Sequence, residues 1–535
     1  MNENKDLFRI TFLPSGTIAW AREGEKLHDV AARAGVNIAR PCGGSGICGK
    51  CRVRARDCVA PPTETEKRVL GECSLLRGLR LACSATVTGP GEVFVVDEVE
   101  TKGSRILADL SDEAVQWAPD SAGFGVAVDI GTTTVVAYLL DLEGRRVTDV
   151  VSFLNPQIPY GDDVISRIAY SASDGGLRRL QAVLIDGLNE AFAALTAKNG
   201  LSPDAVTQVT IAANTVVQHL FAGVSPASIG VSPYRPAYLA MPPLEAASLG
   251  LKIRPGGYVK LLPNVAGYVG SDIVAGVAAT AMADSPAMRL LIDIGTNNEI
   301  VLGNRDALYC CAAAAGPAFE GARIAGGMRA ASGAIERVFL DGDRLVVRTI
   351  ADAPPRGICG SGLVDAVAVL LGAGIVDRRG RMVAPDRCGD PWFCEQMDRD
   401  PQGIVRVLLT DRAHPVHLTQ KDIREMQLAL GAIRVGVEVL LERAGIAVEA
   451  VDEVLLAGAF GNYIDHESAV AVGLLPPVGL KKIRSVRNAA GLGAVMALAS
   501  APFYGKTHQI AERMNYIELS TLSDFQKRFV RAMLF

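Results

Sequence analysis

The sequence predicts a small α+β unit joined to a larger α/β body, and three observations carry that prediction. Cys42, Cys48 and Cys51 stand within ten positions of the glycine-rich stretch "RPCGGSGICGKCRVRA". From Phe124 onward, apolar strands alternate with helical stretches, the pattern of a layered α/β domain. Within that body the pattern strand, Asp-Ile-Gly-Thr turn, strand occurs twice, in "VAVDIGTTTVVAYLLDLEG" and again in "LLIDIGTNNEIVLGNRD".

At 535 residues the chain is too long for one ordinary core, and two to four domains are expected. Apolar residues make up 49% and charged residues 21%, which is a globular balance. The formal net charge of −4 supplies no basic footprint for nucleic acid. The start, "MNENKDLFRI", has no apolar signal core, and no clean run of about 18 apolar residues follows. The nearest, "NAAGLGAVMALASAPF", is interrupted by glycine and proline and reads as a buried helix. No membrane partner and a cytoplasmic location are therefore expected, where the eleven cysteines serve metal ligation or burial rather than disulfides.

Residues 1–95 form the first unit. "LFRITFLP", the turn "PSG" and "TIAWAREG" predict a hairpin. In "KLHDVAARAG", Leu27, Val30, Ala31 and Ala34 recur at helical spacing before Gly35. "RVRAR" and "GEVFVV" add strands, the order of a β-grasp domain. Residues 96–123 are polar and lack a strong period, so a linker is expected. A middle domain with the first turn follows at 124–206, and a C-terminal domain at 207–535. Near the end, Thr419 and Asp422 form a capping box ahead of an apolar face of Ile423, Met426, Leu430, Ile433, Val437 and Leu440.

The cysteines carry the first chemistry. Five residues separate Cys42 from Cys48 and two separate Cys48 from Cys51, with Cys83 following in "LRLACSATV". Three thiolates on one loop with a distant fourth is the ligand pattern of a 2Fe–2S cluster. The glycines let a tight loop present several backbone N–H groups to bridging sulfides. Zinc is the alternative, because Cys48-x-x-Cys51 is also ordinary zinc spacing. Gly44, Gly49 and Lys50 match the start of a nucleotide P-loop, but Cys51 replaces the Ser or Thr that holds magnesium. Cys58 and Cys73 fit the ligand pattern less well than Cys83. Cys310, Cys311 and Cys359 read as buried thiols.

The repeated turns carry the second chemistry. Asp129 ends a strand, Gly131 permits the turn, and Thr132 and Thr133 offer hydroxyl and amide donors to phosphate, while the aspartate orients water on Mg2+. Asp293, Gly295, Thr296 and Asn297 repeat the arrangement 164 residues later. "VLLAGAFGNYID", with Gly458, Ala459 and Gly461, suits close backbone approach to an adenosine. "GICGSGLVDAV", with Gly360 and Ser361, opens a helix whose N-terminus suits phosphate. Glu320 in "GPAFEGARI" is a further carboxylate within reach of a nucleotide, or a surface residue. His219, in the apolar "NTVVQHLFAG", reads as a satisfied core histidine.

This arrangement resembles the ASKHA superfamily of actin, Hsp70 chaperones and sugar kinases, with two ribonuclease-H-like lobes. With the ferredoxin-like unit in front, the chain resembles the ferredoxin-fused ASKHA ATPases that reductively activate corrinoid-dependent enzymes. Besides the segments quoted, "NPQIPYGDDVISRI", "LPNVAGYVGSDIVAG" and "NYIELS" carry the resemblance. It implies ATP-dependent, one-electron return of Co(II) to Co(I) in a corrinoid protein of a methyltransferase system. It also implies a low-potential electron donor, ATP with Mg2+, and a homodimer. The implied ligands are Cys42, Cys48, Cys51 and Cys83. Asp129 and Asp293 are the implied catalytic carboxylates, and the glycines of both turns and of 458–461 the nucleotide contacts. A metabolite kinase or an activator of radical dehydratases, fused to a ferredoxin, are the alternatives.

Overall fold

The computed structural model describes residues 7–36, 38, 44, 46, 49–55, 57–95, 115–295, 297–316, 318–321, 323–461 and 463–535, the side chains of 72, 73 and 459 excepted. Cys42, Cys48 and Thr296 lie outside the described residues, as does most of the expected linker.

The first unit is a five-stranded mixed sheet. Strands β1 (Leu7–Leu13) and β2 (Thr17–Arg22) form the expected hairpin. Helix α1 (Leu27–Arg33) buries Leu27, Val30 and Ala31 against the sheet, so its apolar spacing is its packing face. β3 (Arg52–Ala55), β4 (Leu79–Leu81) and β5 (Gly91–Val95) complete the order β2-β1-β5-β3-β4. β5 lies parallel to β1, which is the β-grasp crossing. A buried ion pair fastens this unit: Arg80 donates to both oxygens of Glu66 at 2.9 Å, and the Thr63 and Leu81 amides donate to the same carboxylate.

The body holds two six-stranded sheets built on one plan. In the first, β6 (Phe124–Ile130), β7 (Thr134–Asp141) and β8 (Arg146–Leu154) run antiparallel. β9 (Val206–Ala213) then joins β6 in parallel, and β10 (Leu244–Glu245) and β11 (Tyr258–Leu261) extend that edge. The second sheet repeats the meander with β12 (Arg289–Ile294), β13 (Asn298–Gly303) and β14 (Leu308–Ala313). The strands Glu453–Ala457 and Ile483–Arg487 join it in parallel, as β9 and β11 join the first. The two Asp-Ile-Gly segments thus end the first strand of the same hairpin in two copies of one sheet.

The boundary expected at residue 206 does not divide the body. β9 begins there and bonds to β6 along its length, so the first sheet continues to Leu261. Residues 115–123 of the expected linker are docked. Ala118 bridges to Ser500, Trp117 packs on the apolar layer of Tyr138 and Leu498, and Asp120 pairs with Lys260.

The long helix Gln420–Ala444 has the expected capping box at Thr419 and Asp422, and its six predicted face residues are all buried. It packs on β13 and β14. The alanine-rich helix Ala489–Ala499 crosses back to β6, β7 and β9 of the first sheet, burying Ala494, Val495 and Leu498 against Ala127 and Tyr138. That return closes the space between the two hairpins.

Candidate functional site: a cavity between paired hairpins

Asp129 and Asp293 occupy equivalent places, each one residue before the end of its strand. Asp129 pairs with Val136 across the first hairpin, whereas Asp293 faces Glu299 across the second. Both hairpins open into one cavity of about 300 Å³. Asp129, Gly131, Thr132, Thr133, Asp293, Gly295, Asn297, Gly360, Ser361 and Gly458, spread over 330 positions of sequence, all line it. Gly461 is not on the wall; its carbonyl accepts from Ser485 Oγ at 3.0 Å.

Local packing fixes each turn. The Gly131 amide donates to Thr134 O at 2.9 Å, and a Cβ at Gly131 would lie 2.8 Å from that oxygen. Asn214 caps its own helix by accepting from the Val217 amide and donates to Thr132 Oγ1 at 3.1 Å. Arg167, fully buried, donates to Thr132 O, to Gly161 O at 2.8 Å and to Gln157 Oε1 at 3.2 Å. Thr133 Oγ1 is buried and has no hydrogen-bond partner. On the opposite wall, Gly458 has φ +81°, and a Cβ there would stand 2.6 Å from Asp293 Oδ1. Only glycine lets that backbone reach the carboxylate. Phe319 and Phe460 stack with centroids 4.9 Å apart and form an aromatic shelf in the same wall.

The electrostatics are acidic. Six carboxylates line the cavity: Asp129, Asp272, Asp293, Glu299, Glu320 and Glu336. Burial pushes Asp129 up to about 7, against the hydrogen bond of Asn488 and with the Asp293 charge adding to the rise. Burial alone lifts Asp293 to about 6. Asp272 and Glu299 are raised by burial and then by neighbouring carboxylates. A carboxylate held up by burial beside like charges is short of cationic partners. The site fits a ligand that brings its own cation, and the orphaned Thr133 hydroxyl fits one that brings anionic oxygen. Among the described residues, no group of three or more His, Cys, Asp or Glu side chains stands ready to enclose a metal directly.

Sequence reasoning missed Asp272, Asn214, Asn488, Glu299 and the Phe319–Phe460 shelf. Asp272 sits in the quoted "YVGSDIVAG", but a lone carboxylate early in a helix has no local mark of function. Glu320 does line the cavity. His219 is a core histidine: Nδ1 lies 2.7 Å from Thr215 O, Nε2 accepts from the Ala237 amide at 3.1 Å, and Tyr238 stacks on the ring.

In the first unit, Cys51 and Cys83 converge to 3.3 Å between sulfurs, both buried and without a disulfide. Two thiols brought this close, one just before β3 and one in the turn after β4, suit ligation of one metal ion. Cys58, also buried, points to the other end of β5 and approaches Glu92 O at 4.0 Å. Burial pushes its thiol up, as for an inert core cysteine. The loop beside Cys51 touches the body, since Lys50 Nζ donates to Ile324 O at 3.0 Å.

Paired sheets of one topology, hairpins facing across a cleft and a β-grasp unit in front define an ATPase-type fold carrying an electron-transfer domain. Comparison with known families divides the chain the same way. Residues 10–88 match the 2Fe-2S iron-sulfur cluster binding domain, 124–285 the RACo middle region, and 287–535 the C-terminal domain of RACo, the ASKHA domain. The chain belongs to the RACo family. It is 35% identical over 419 residues to the corrinoid activation enzyme RamQ of Eubacterium limosum, covering 77% of this chain and 70% of that one. It is 24% identical over 408 residues to the [Co(II) methylated amine-specific corrinoid protein] reductase of Methanosarcina barkeri, covering 70% of each. The solved structure of a reductive activator for corrinoid, iron-sulfur protein superposes with a TM-score of 0.70 at 31% identity. That match covers 99% of this chain and 98% of the other. No helix among the described residues is long and apolar enough to cross a membrane.

Proposed function

We propose that this protein returns the cobalt of a partner corrinoid protein from Co(II) to Co(I), one electron at a time, in an ATP-dependent way. The observation that carries the reading is the union in one chain of a converging thiol pair and a two-hairpin cavity, joined through Lys50 and Ile324. Cys42, Cys48, Cys51 and Cys83 are the residues that would hold the cluster. A bound 2Fe–2S cluster supplies single electrons, the amount that separates Co(II) from Co(I). A low-potential donor in the cytoplasm replaces each electron passed on.

The body's residues would hold ATP as its magnesium complex. Amides and hydroxyls of Thr132 and Thr133, on the turn that Gly131 permits, and of Gly295 to Asn297 would donate to phosphate oxygens. Asp129 and Asp293 are the carboxylates that would accept hydrogen bonds from water on magnesium. Gly458 lets backbone approach the nucleotide, with Ala459 and Gly461 on the same turn, while Phe319 and Phe460 offer an apolar face to the adenine. Gly360 and Ser361 present a helix N-terminus to phosphate. Without the cation, six carboxylates would repel a triphosphate, so chelating magnesium is expected to abolish nucleotide binding.

Nucleotide binding supplies the thermodynamic lever. An uphill gap of 100 mV for one electron corresponds to about 2.3 kcal/mol. A ligand that binds one conformation about fifty-fold more tightly than another provides that difference. The test uses anaerobically purified protein, a Co(II) corrinoid protein from the same genome and a low-potential reductant. Co(I) formation, followed by absorbance, is expected to accelerate with MgATP and to stop on Cys48→Ser. Absence of any ATP effect across the genome's corrinoid proteins would overturn the reading in favour of a kinase.

A further inference from the structure

The cavity has six carboxylates but one cationic side chain among its described lining residues, Arg329. Arg329 belongs to the segment 318–330, which also places Phe319 and Glu320 on the wall. Its closest acidic partner is Asp162 of the first sheet's lobe, 3.8 Å away. That is an ion pair beyond hydrogen-bond length. Arg329 Nη1 and Asp162 Oδ1 are both buried with no hydrogen-bond partner. Burial pushes Asp162 up to about 6, with Arg329 pulling against it. The pair is therefore a loose one.

The neighbouring cation cannot take the same role. Arg167 is committed to Gly161 O, Gln157 Oε1 and Thr132 O, and so braces the first hairpin from behind. Arg329 faces the cavity, and so does Thr133, whose hydroxyl is, among the described lining residues, the other buried donor left without an acceptor. Two orphaned donors, one cationic and one on a phosphate-type turn, share a missing partner of one chemistry, an anionic oxygen. We propose that Arg329 is a phosphate-binding residue of this cavity, resting on Asp162 and passing to the phosphate oxygens of a nucleotide when one binds. The inference rests on the reading that the cavity takes ATP. Asp162 and Arg329 come from different lobes, so the exchange alters an inter-lobe contact. Ile324, on the same segment, is the acceptor of Lys50 beside Cys51.

The test is calorimetric titration of the full chain with MgATP, and with adenosine as a probe lacking phosphate. Arg329→Gln is expected to weaken MgATP binding by about tenfold or more and to leave adenosine unchanged. Arg329→Lys, which keeps the charge but loses the fork, is expected to recover part of the loss. Asp162→Asn removes the resting partner and is expected not to weaken MgATP. Equal weakening of MgATP and adenosine by Arg329→Gln and Asp162→Asn would show a purely structural pair and overturn the proposal. So would unchanged MgATP affinity in Arg329→Gln. If Arg329→Gln does not fold, Arg329→Lys and Asp162→Asn decide between the same two outcomes. A wild-type chain that binds no MgATP would overturn the nucleotide reading itself, a result distinct from a wild type that binds and an indifferent Arg329 variant.

Discussion

Lys50 Nζ donates to Ile324 O at 3.0 Å across 274 positions of sequence. The donor is adjacent to Cys51, and the acceptor lies on the segment that carries Phe319, Glu320 and Arg329 to the cavity wall. The next amide, Ala325 N, is held by Asp422 Oδ1 at 2.7 Å, at the start of the long helix. The cysteine loop and the cavity thus share one short piece of backbone as support.

Lys50→Gln is expected to loosen that support. A hydrogen bond from a charged donor contributes about 1.5–3 kcal/mol. Hydrogen exchange should quicken in residues 49–55 and 323–329 while the visible absorbance of the cluster is kept. Loss of the cluster instead would mean that Lys50 serves the loop's own fold.

Cys51→Ser and Cys83→Ser are each expected to abolish the visible absorbance and the reduced-state EPR signal of the cluster. Cys58→Ser should keep both, because Cys58 packs against Gly91, where a Cβ would meet it at 2.6 Å. A cluster that survives Cys83→Ser but not Cys58→Ser would reverse the ligand assignment.

Gly458→Ala is expected to weaken MgATP binding by about tenfold or more. A side chain there meets Asp293 Oδ1 at 2.6 Å in a left-handed backbone conformation. Gly479→Ala, with open space around it, is the control. Equal affinities in the two variants, measured by calorimetry, would remove Gly458 from the site.

Glu66→Gln is expected to destabilise the first unit by about 3 kcal/mol or more, since it leaves Arg80 buried without its anion. The effect depends on pH in a definite direction. Burial opposes ionisation of Glu66, but Arg80 and the Thr63 and Leu81 amides outweigh it and hold the carboxyl below its ordinary range. A lowered folded-state value means stability that is present above the unfolded value and lost as pH falls through the folded one. Hydrogen exchange of residues 63–87 should therefore quicken on acidification in the wild type and respond less in the variant. Parallel pH profiles would contradict this role.

Much of the site was legible because it lies in local patterns. Asp129-Ile-Gly-Thr and Asp293-Ile-Gly-Thr are short segments whose residue types mark a turn after an apolar strand, and their repetition anticipates the repeated sheets. The capping box at Thr419 and the spacing of Cys51 are readable for the same reason. The boundary at residue 206 was not, because β9 is an apolar strand whose partner, β6, lies some 80 positions earlier. Strand pairing at that range leaves no mark in local composition.

The sequence by itself pointed to the two chemistries: cysteines spaced among glycines as a cluster would need them, and a pair of aspartate-glycine hairpins. Local backbone conformation and donor type suffice for each. Tertiary structure alone decided that the hairpins face one cavity and that Asp272, Glu299 and Asn488 join them there. It also decided that Arg329 is the described cation on that wall and that Lys50 rests on the same segment. These are facts of distance between residues far apart in the chain, created when the helix Ala489–Ala499 returns to the first sheet and buries its apolar face.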